Sequence, residues 1–184
     1  MALTTVRSTG IGSLPAISGA NLTSLNASNI SSGTLNSARF SGGKVLQVVQ
    51  GTQSSSVGST SNSYVTTNLT ASITPSSSSN KVLAYVSFKG RSYKDTGNST
   101  ESSYALYRAS SVVYNTSGAV TMRLGASYSA DGLEIATMQN FMYLDTPSAT
   151  TSQTYTLYMK AGSNATVTAH VGMVSTLTLL EIAA

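Results

Sequence analysis

The chain contains no cysteine, no tryptophan and a single histidine among its 184 residues. Without cysteine it can form no disulfide, carry no catalytic thiol and hold no cysteine-ligated metal. A zinc site needs three or four protein ligands, usually His or Cys, and the sequence offers only His170. These absences exclude most thiol-dependent and zinc-dependent enzymes.

Charged side chains are also scarce, at 9% of the chain, against about 25% in typical domains. The six carboxylates are spread from Asp95 to Glu181, and no G-x-S-x-G motif is present. We therefore predict that the chain is not an enzyme and uses no cofactor and no metal. Two metal alternatives stay open: calcium on oxygen ligands of Asp131 and Glu134, and one ion shared by His170 of three subunits. The favoured interpretations are a turn and a hydrogen-bonded or subunit-facing histidine within a strand.

Long apolar runs are absent too. None approaches about 18 residues, so no transmembrane helix is predicted, and the N-terminus lacks the basic and apolar regions of a signal peptide. The net charge of +4 comes from cations spread along the chain, with Lys89, Arg91 and Lys94 around Tyr93 as the one cluster. We interpret that cluster as part of a solvated loop. Neither membrane insertion nor nucleic-acid binding is predicted.

Serine and threonine make up about a third of the chain, far above average usage, and they surround a sparse apolar pattern near the N-terminus. Between residues 19 and 40, single apolar residues recur at five-residue spacing, which fits neither the period of a helix nor that of a strand. A lone chain cannot bury so thin a stripe against itself, so the pattern predicts either a narrow solenoid or a segment that wraps around copies of itself. The residues predicted to serve as the anchor and as the assembly contact are Leu22, Leu25, Ile30, Leu35 and Phe40.

A change of pattern near residue 44 predicts two parts, an extended anchor or stalk over residues 1–43 and a β-sandwich domain over residues 44–184. In the second part, short segments of alternating hydrophobicity are separated by turn residues, as in antiparallel strands. About nine such strands predict an all-β fold, an antiparallel β-sandwich or jelly roll.

The segment at residues 81–89 carries apolar residues on both faces, including Leu83 and Tyr85 on the face opposite Val82 and Phe88. This pattern predicts a central strand covered on both sides. The connections are predicted as loops at residues 51–63 and 90–101, a hairpin of the three-to-five-residue type at 109–111 and a tight hairpin around 163–164.

Tyrosine is the enriched aromatic residue, with ten copies against three of phenylalanine. Its ring has a large apolar face and a polar tip, which suits both sheet packing and interfaces. Tyrosines within predicted strands are assigned to packing. Those at strand ends or in loops, which include Tyr114, are candidates for contacting a saccharide or a host protein, and the residues selected for surface recognition are Tyr64, Tyr93 and Tyr128.

Several sequence segments, taken together, resemble tail-fibre and related virion structural proteins of tailed bacteriophages. Ile30 to Phe40 matches their I-x-S-G-T-hydrophobic-x-x-A-R-hydrophobic repeat, and residues 69–88, 104–113 and 141–162 are similar to their C-terminal β-domains. The resemblance implies a homotrimeric virion protein with an N-terminal stalk and a β-sandwich head. Many fibre proteins are several times longer, so a compact fibre, a distal tip or a capsid knob suits this length better.

The first functional hypothesis is a short tail fibre that binds other virion proteins through its N-terminus and a host-surface glycan or protein through its β-domain. The alternative is a trimeric capsid decoration, cement or head-fibre protein whose residues 1–40 clamp neighbouring shell subunits. A glycan-degrading enzyme is a third hypothesis, which the missing carboxylate pair disfavours.

Overall fold

The computed structural model describes residues 43–94, 100–115, 121–124 and 132–184. Within these ranges every regular element is a strand and none is a helix, which confirms the all-β prediction. The predicted stalk, apart from residue 43, lies outside the described residues. The strands are β1 (Val45–Gln53), β2 (Val57–Ser59), β3 (Val65–Ile73), β4 (Lys81–Lys94), β5 (Thr100–Arg108), β6 (Ser111–Asn115), β7 (Thr121–Leu124), β8 (Leu133–Asp145), β9 (Gln153–Lys160), β10 (Thr166–Ala169) and β11 (Ser175–Ile182).

The strands form two antiparallel sheets. Sheet A has the order β1-β11-β4-β10-β2, with β8 on the other edge of β4. Sheet B has the order β3-β9-β5-β6, and β7 pairs with β5 on the same edge as β6. Side chains from both sheets form one hydrophobic core, so the sheets pack face to face as a β-sandwich, as predicted.

Strand β4 is the centre of sheet A. It pairs with β11 and then β10 along one edge, and with β8 along the other edge from Val82 opposite Asp145 to Lys94 opposite Leu133. Its alternate residues from Val82 to Phe88 are fully buried. The central position predicted for residues 81–89 is therefore confirmed, although the strand extends five residues further.

Two glycines allow the sheets to approach closely. A Cβ on Gly90 of β4 would lie 2.5 Å from the hydroxyl oxygen of Tyr104, whose ring packs edge-on against Phe88 with centroids 4.5 Å apart. A Cβ on Gly51 of β1 would overlap the carbonyl oxygen of Thr70 in β3. A larger residue at Gly51 would require the backbone of β3 to move, and one at Gly90 would require the Tyr104 side chain to move.

A buried ion pair joins the two sheets at one end. Asp145, the last residue of β8, accepts a hydrogen bond of 2.5 Å from Arg108 of β5 and one of 2.8 Å from the Tyr155 hydroxyl of β9. The backbone N–H of Thr146 donates to the other carboxylate oxygen. Burial and the adjacent carboxylate raise the pKa of Tyr155, so its hydroxyl stays protonated and serves as a donor.

A second buried carboxylate ties the C-terminal strand to the rest of the sandwich. Glu181 of β11 points inward and accepts hydrogen bonds from Gln47 Nε2 at 2.6 Å, Asn80 Nδ2 at 2.6 Å, and the backbone N–H and hydroxyl of Ser76 at 2.7 and 2.8 Å. Burial raises the pKa of the carboxyl, but these donors outweigh burial and hold it at about 2. We name this group the Glu181 clamp.

Four predicted connections differ from the structure. Residues 51–63 contain the end of β1 and all of β2, and residues 90–94 continue β4 because they pair on both edges. Arg108 pairs directly with Ser111, which leaves a two-residue hairpin loop with Ala109 at a φ of 52°. The hairpin predicted around residues 163–164 is wrong, because β9 and β10 belong to different sheets.

We expect the Glu181 clamp to make stability depend on acid. Because its folded pKa of about 2 lies below the ordinary value of 4.5, its contribution is present above pH 4.5 and is lost as the pH falls toward 2. Glu181→Gln should lower the free energy of unfolding at neutral pH by about 2 kcal/mol and reduce this acid dependence. Urea denaturation between pH 7 and pH 2.5 measures both effects.

The matched control is Glu134→Gln, which changes an exposed carboxylate whose ion pair with Arg91 is 3.6 Å long. An exposed pair of this kind contributes little. An acid dependence that is the same in Glu181→Gln and wild type would contradict the assignment.

Candidate functional site

The outer face of sheet A carries an apolar row that crosses four strands. The strand register places Val48 of β1, Leu180 of β11, Leu83 of β4 and Leu144 of β8 side by side. The two ends of the row are well exposed, with 59% of Val48 and 47% of Leu144 accessible. These residues point away from the core, so the row adds nothing to the packing between the sheets.

Neighbouring positions widen this row into a patch. Tyr85 and Met142 form the next cross-strand pair, and 63% of Met142 is accessible. Val45 and Ile182 pair on the other side of the row. A contiguous exposed apolar surface on a folded domain is a candidate interaction site. We call this surface the outer apolar patch: Val45, Val48, Leu83, Tyr85, Met142, Leu144, Leu180 and Ile182.

The sequence pattern showed apolar residues at part of this patch, but it led to the prediction of a covered strand rather than an exposed surface. Apolar residues on both faces of residues 81–89 predicted a strand covered on both sides. In the structure the inner face is buried, whereas Tyr85 on the outer face is exposed and no described element lies over it. The outer residues of β1, β8 and β11 join Leu83 and Tyr85 only through the register, which single segments do not reveal.

Strand β8 adds a free edge beside the patch. It pairs only with β4 among the described strands, over all 13 of its residues. It contains no proline and no lysine, the residues that commonly protect exposed edges, and its only charges are Glu134 and Asp145. Among the described residues, the backbone groups on its outer edge therefore have no strand partner.

The outer face of sheet B is aromatic and polar. Tyr107 lies against Tyr158 with ring centroids 4.1 Å apart and meets Tyr64 edge-on at 6.0 Å. The hydroxyl of Tyr64 donates to Asn115 Oδ1 at 2.8 Å, and Lys160 Nζ lies 5.1 Å from the centre of the Tyr64 ring. Burial and the neighbouring Tyr107 raise the pKa of Tyr64, so it stays neutral.

A recess of about 410 Å³ lies on the same face, beside Tyr64. Direct pairing of Glu101 with Arg123 and of Ser103 with Lys160 brings these four residues of β5, β7 and β9 to its walls. No ion pair forms among Glu101, Arg123 and Lys160 within the described residues. The recess is completed by Asn62, Ala161, Gly162 and Ser163.

The structure separates the tyrosines that were predicted to act in surface recognition. Tyr64 lies beside the recess on sheet B, whereas Tyr93 is half-buried on the outer face of β4, next to Gly132. They belong to different sheets and do not form one site. Tyr128 lies outside the described residues, as do the five predicted anchoring residues, Leu22, Leu25, Ile30, Leu35 and Phe40.

The basic cluster predicted in a solvated loop lies in β4 instead. Lys89 and Arg91 point outward, and Arg91 lies 3.6 Å from Glu134 in an ion pair. Lys94 points inward and is 1% exposed. Alternation along the strand therefore divides these three cations between two faces, and they form no common basic surface.

His170 is buried between the sheets and lies directly after β10 rather than within a strand, with a φ of 63°. Its Nε2 donates to the carbonyl oxygen of Thr67 at 2.9 Å. Thr67 lies in a bulge of β3 where Thr67, Asn68 and Leu69 oppose Leu157 alone, so its carbonyl leaves the strand ladder. The predicted hydrogen bond is confirmed, whereas complete burial in one chain contradicts the ion shared by three subunits.

No cluster of potential metal ligands occurs in the part of the chain that the structure describes. No group of three or more His, Asp or Glu side chains there is arranged to hold an ion. The same residues include no helix long and apolar enough to cross a membrane.

No protein-family model and no curated protein sequence matches the chain. Among solved structures, a chain from the crystal structure of the T13 IBDV viral particle is similar at a TM-score of 0.33 and 11% identity, over 74% of this chain and 37% of that one. A chain from infectious bursal disease virus strain Gx gives a TM-score of 0.30 and 11% identity, over 75% and 37%. The chain thus spans well under half the length of either protein, and similarity at this level assigns no function.

We expect His170 to lower stability in mild acid. Burial lowers its pKa from the ordinary value of 6.5, although the Thr67 carbonyl partly opposes this shift. Its contribution is therefore complete above pH 6.5 and is lost as the pH falls below 6.5 and through the lower folded pKa, because the unfolded state binds the proton more readily. His170→Asn keeps a residue that tolerates positive φ and should remove the slope that begins just below pH 6.5 in urea denaturation.

Because His170 is the only histidine in the sequence, the wild-type slope in this range has one candidate source among the side chains. A variant that keeps the wild-type slope would show that His170 does not cause it.

Proposed function

We propose that the chain is a non-enzymatic structural protein of a virus particle, and specifically a short homotrimeric tail fibre of a tailed bacteriophage. In this proposal its N-terminal segment attaches to the particle and its β-sandwich binds the host surface. The observation that carries the proposal is the outer apolar patch, which is a surface suited to assembly and adds nothing to the core of the single chain.

The occupant proposed for the patch is a second copy of the chain. Residues on the outer faces of β1, β4, β8 and β11 supply the patch, and β8 supplies a free edge next to it. Covering the patch removes apolar area from water at roughly 25 cal/mol per Å². Pairing along the edge would satisfy backbone groups that the described strands leave open.

A closed ring of three copies fits the layout of sheet A. Its two ends differ, since Val48 lies on β1 and Leu144 on β8. A contact between unlike ends is heterologous, and heterologous contacts produce either a closed ring or an open filament. The five-residue pattern at Leu25, Ile30, Leu35 and Phe40 favours the ring, because an apolar stripe of this kind is buried when a few chains wrap together.

The phage assignment depends on the sequence resemblance of Ile30 to Phe40 and of the β-domain segments at residues 69–88, 104–113 and 141–162. Two further observations support a structural role. Charged residues are only 9% of the chain, so most of its polar side chains are hydroxyls and amides. The described residues contain no candidate metal centre, and their two inward-facing carboxylates, Asp145 and Glu181, are held by internal hydrogen bonds.

We expect charge in the outer apolar patch to dissociate the assembly. The molar mass of the wild-type protein, measured by light scattering, should be three times the 18.9 kDa chain mass. Val48→Asp and Met142→Asp should have the mass of a monomer. Both side chains are exposed in the single chain, so the fold should persist. Val112→Asp, at an exposed aliphatic position in sheet B, is the control and should stay trimeric. A folded wild-type monomer at micromolar concentration would contradict the proposal.

We expect deletion of residues 1–43 to abolish attachment to the particle and leave the β-sandwich folded. Circular dichroism of the truncated protein checks the fold, and mass spectrometry of purified particles checks attachment and copy number. A few trimers per particle support a tail fibre, whereas many copies indicate a capsid decoration protein. Host adsorption that is unchanged without the protein would contradict a role in host binding.

A further inference from the structure

We infer that the recess on the outer face of sheet B binds a saccharide that carries a carboxylate group. This inference deepens the host-surface role proposed above and depends on it for its biological meaning. The recess volume of about 410 Å³ falls within the usual range for small-ligand sites, about 300–1,000 Å³. Its walls are mainly polar, which suits a hydroxylated ligand better than an apolar one.

Charge in the recess favours an anionic group. Arg123 and Lys160 line it together with Glu101, so the three side chains sum to one positive charge. None of them is neutralised by an ion pair with another within the described residues. A guanidinium presents paired donors to a carboxylate, and an ammonium adds a point charge.

Lys160 is held in position by the aromatic residues next to the recess. Its Nζ lies over the Tyr64 ring, and that ring is fixed by the hydrogen bond to Asn115 and by the edge contact with Tyr107. A cation whose position is set before binding loses less entropy when a ligand arrives. Tyr64 is therefore a positioning residue, and its ring face is occupied by Lys160 rather than open to a sugar.

The remaining polar groups match hydroxyls. Glu101 accepts hydrogen bonds, and Asn62 and Ser163 both donate and accept them. The Ser103 hydroxyl is buried in the wall of the recess and lies near the Tyr64 hydroxyl, whose pKa burial raises and Ser103 helps to lower.

The recess lies on the sheet that the proposed assembly does not use. Its residues belong to β5, β7, β9 and adjacent segments, whereas the outer apolar patch belongs to β1, β4, β8 and β11. Assembly through sheet A would leave the recess of each copy open. Three weak sites on one particle component would then act together through avidity.

The test titrates the full chain with three probes and follows binding by calorimetry. Glucuronate carries both ring hydroxyls and a carboxylate, glucose has the hydroxyls without the charge, and inorganic phosphate has the charge without the sugar ring. Glucuronate should bind roughly tenfold more tightly than either partial probe, because each lacks one set of hydrogen bonds. Equal affinity for phosphate, equal affinity for glucose, or no binding of glucuronate would each overturn the inference.

Variants then locate the site. Arg123→Gln and Lys160→Gln should each weaken glucuronate binding by roughly tenfold or more, since each removes a charge-assisted hydrogen bond. Lys81→Gln, an exposed lysine at the start of β4 in the other sheet, is the matched control and should bind like wild type. Unchanged binding by Arg123→Gln and Lys160→Gln would overturn the assignment of the recess.

The result is separable from the proposed function. A trimer that attaches to particles and supports adsorption, but does not bind glucuronate, would remove this inference alone. Loss of trimer formation in wild type would remove the proposed assembly and leave the binding measurement valid.

Discussion

The pairing of β4 along both of its edges is the constraint on which the rest of the structure depends. One strand of 14 residues holds β11, β10 and β8 in a single sheet. Its inward residues, from Val82 to Phe88, fill the core, and its outward residues Leu83 and Tyr85 belong to the outer apolar patch. Because successive side chains of a strand point to opposite faces, the same register determines both the stability of the sandwich and the composition of its exposed surface.

Where regular strand pairing ends, polar side chains form hydrogen bonds with backbone groups and connect the strands. The bulge in β3 frees a carbonyl that His170 binds, and Thr67 donates its hydroxyl to Leu157 on the partner strand at 2.9 Å. In the connection between β3 and β4, the Glu181 carboxylate accepts hydrogen bonds from the backbone N–H of Ser76 and the side-chain amide of Asn80. These donors are neutral, so neither of them balances the charge of this carboxylate. Asp145 has a cation partner, Arg108, on the opposite sheet. With few charged residues in the chain, most of this internal bonding uses hydroxyls and amides.

Much of the fold follows from local sequence pattern, and much of the candidate surface does not. Alternation of apolar and polar residues placed most strands within a few positions and identified residues 81–89 as central. The sequence pattern did not show that the connection around Asn164, between β9 and β10, crosses from one sheet to the other. A turn residue has the same sequence signature in a hairpin and in a crossover. The recess was missed for a related reason: Glu101, Arg123 and Lys160 come from three strands and become neighbours only through pairing.

The apolar surface and the polar recess occupy different sheets and share no strand. Substitutions in one therefore have no direct contact with the other, since only the common core lies between them. Changes at well-separated positions usually have additive effects on stability. A lineage could thus alter residues such as Arg123 or Asn62 to follow a changing ligand while Val48 and Leu144 stay under selection for a fixed partner surface. The sandwich allows these two faces to evolve at different rates.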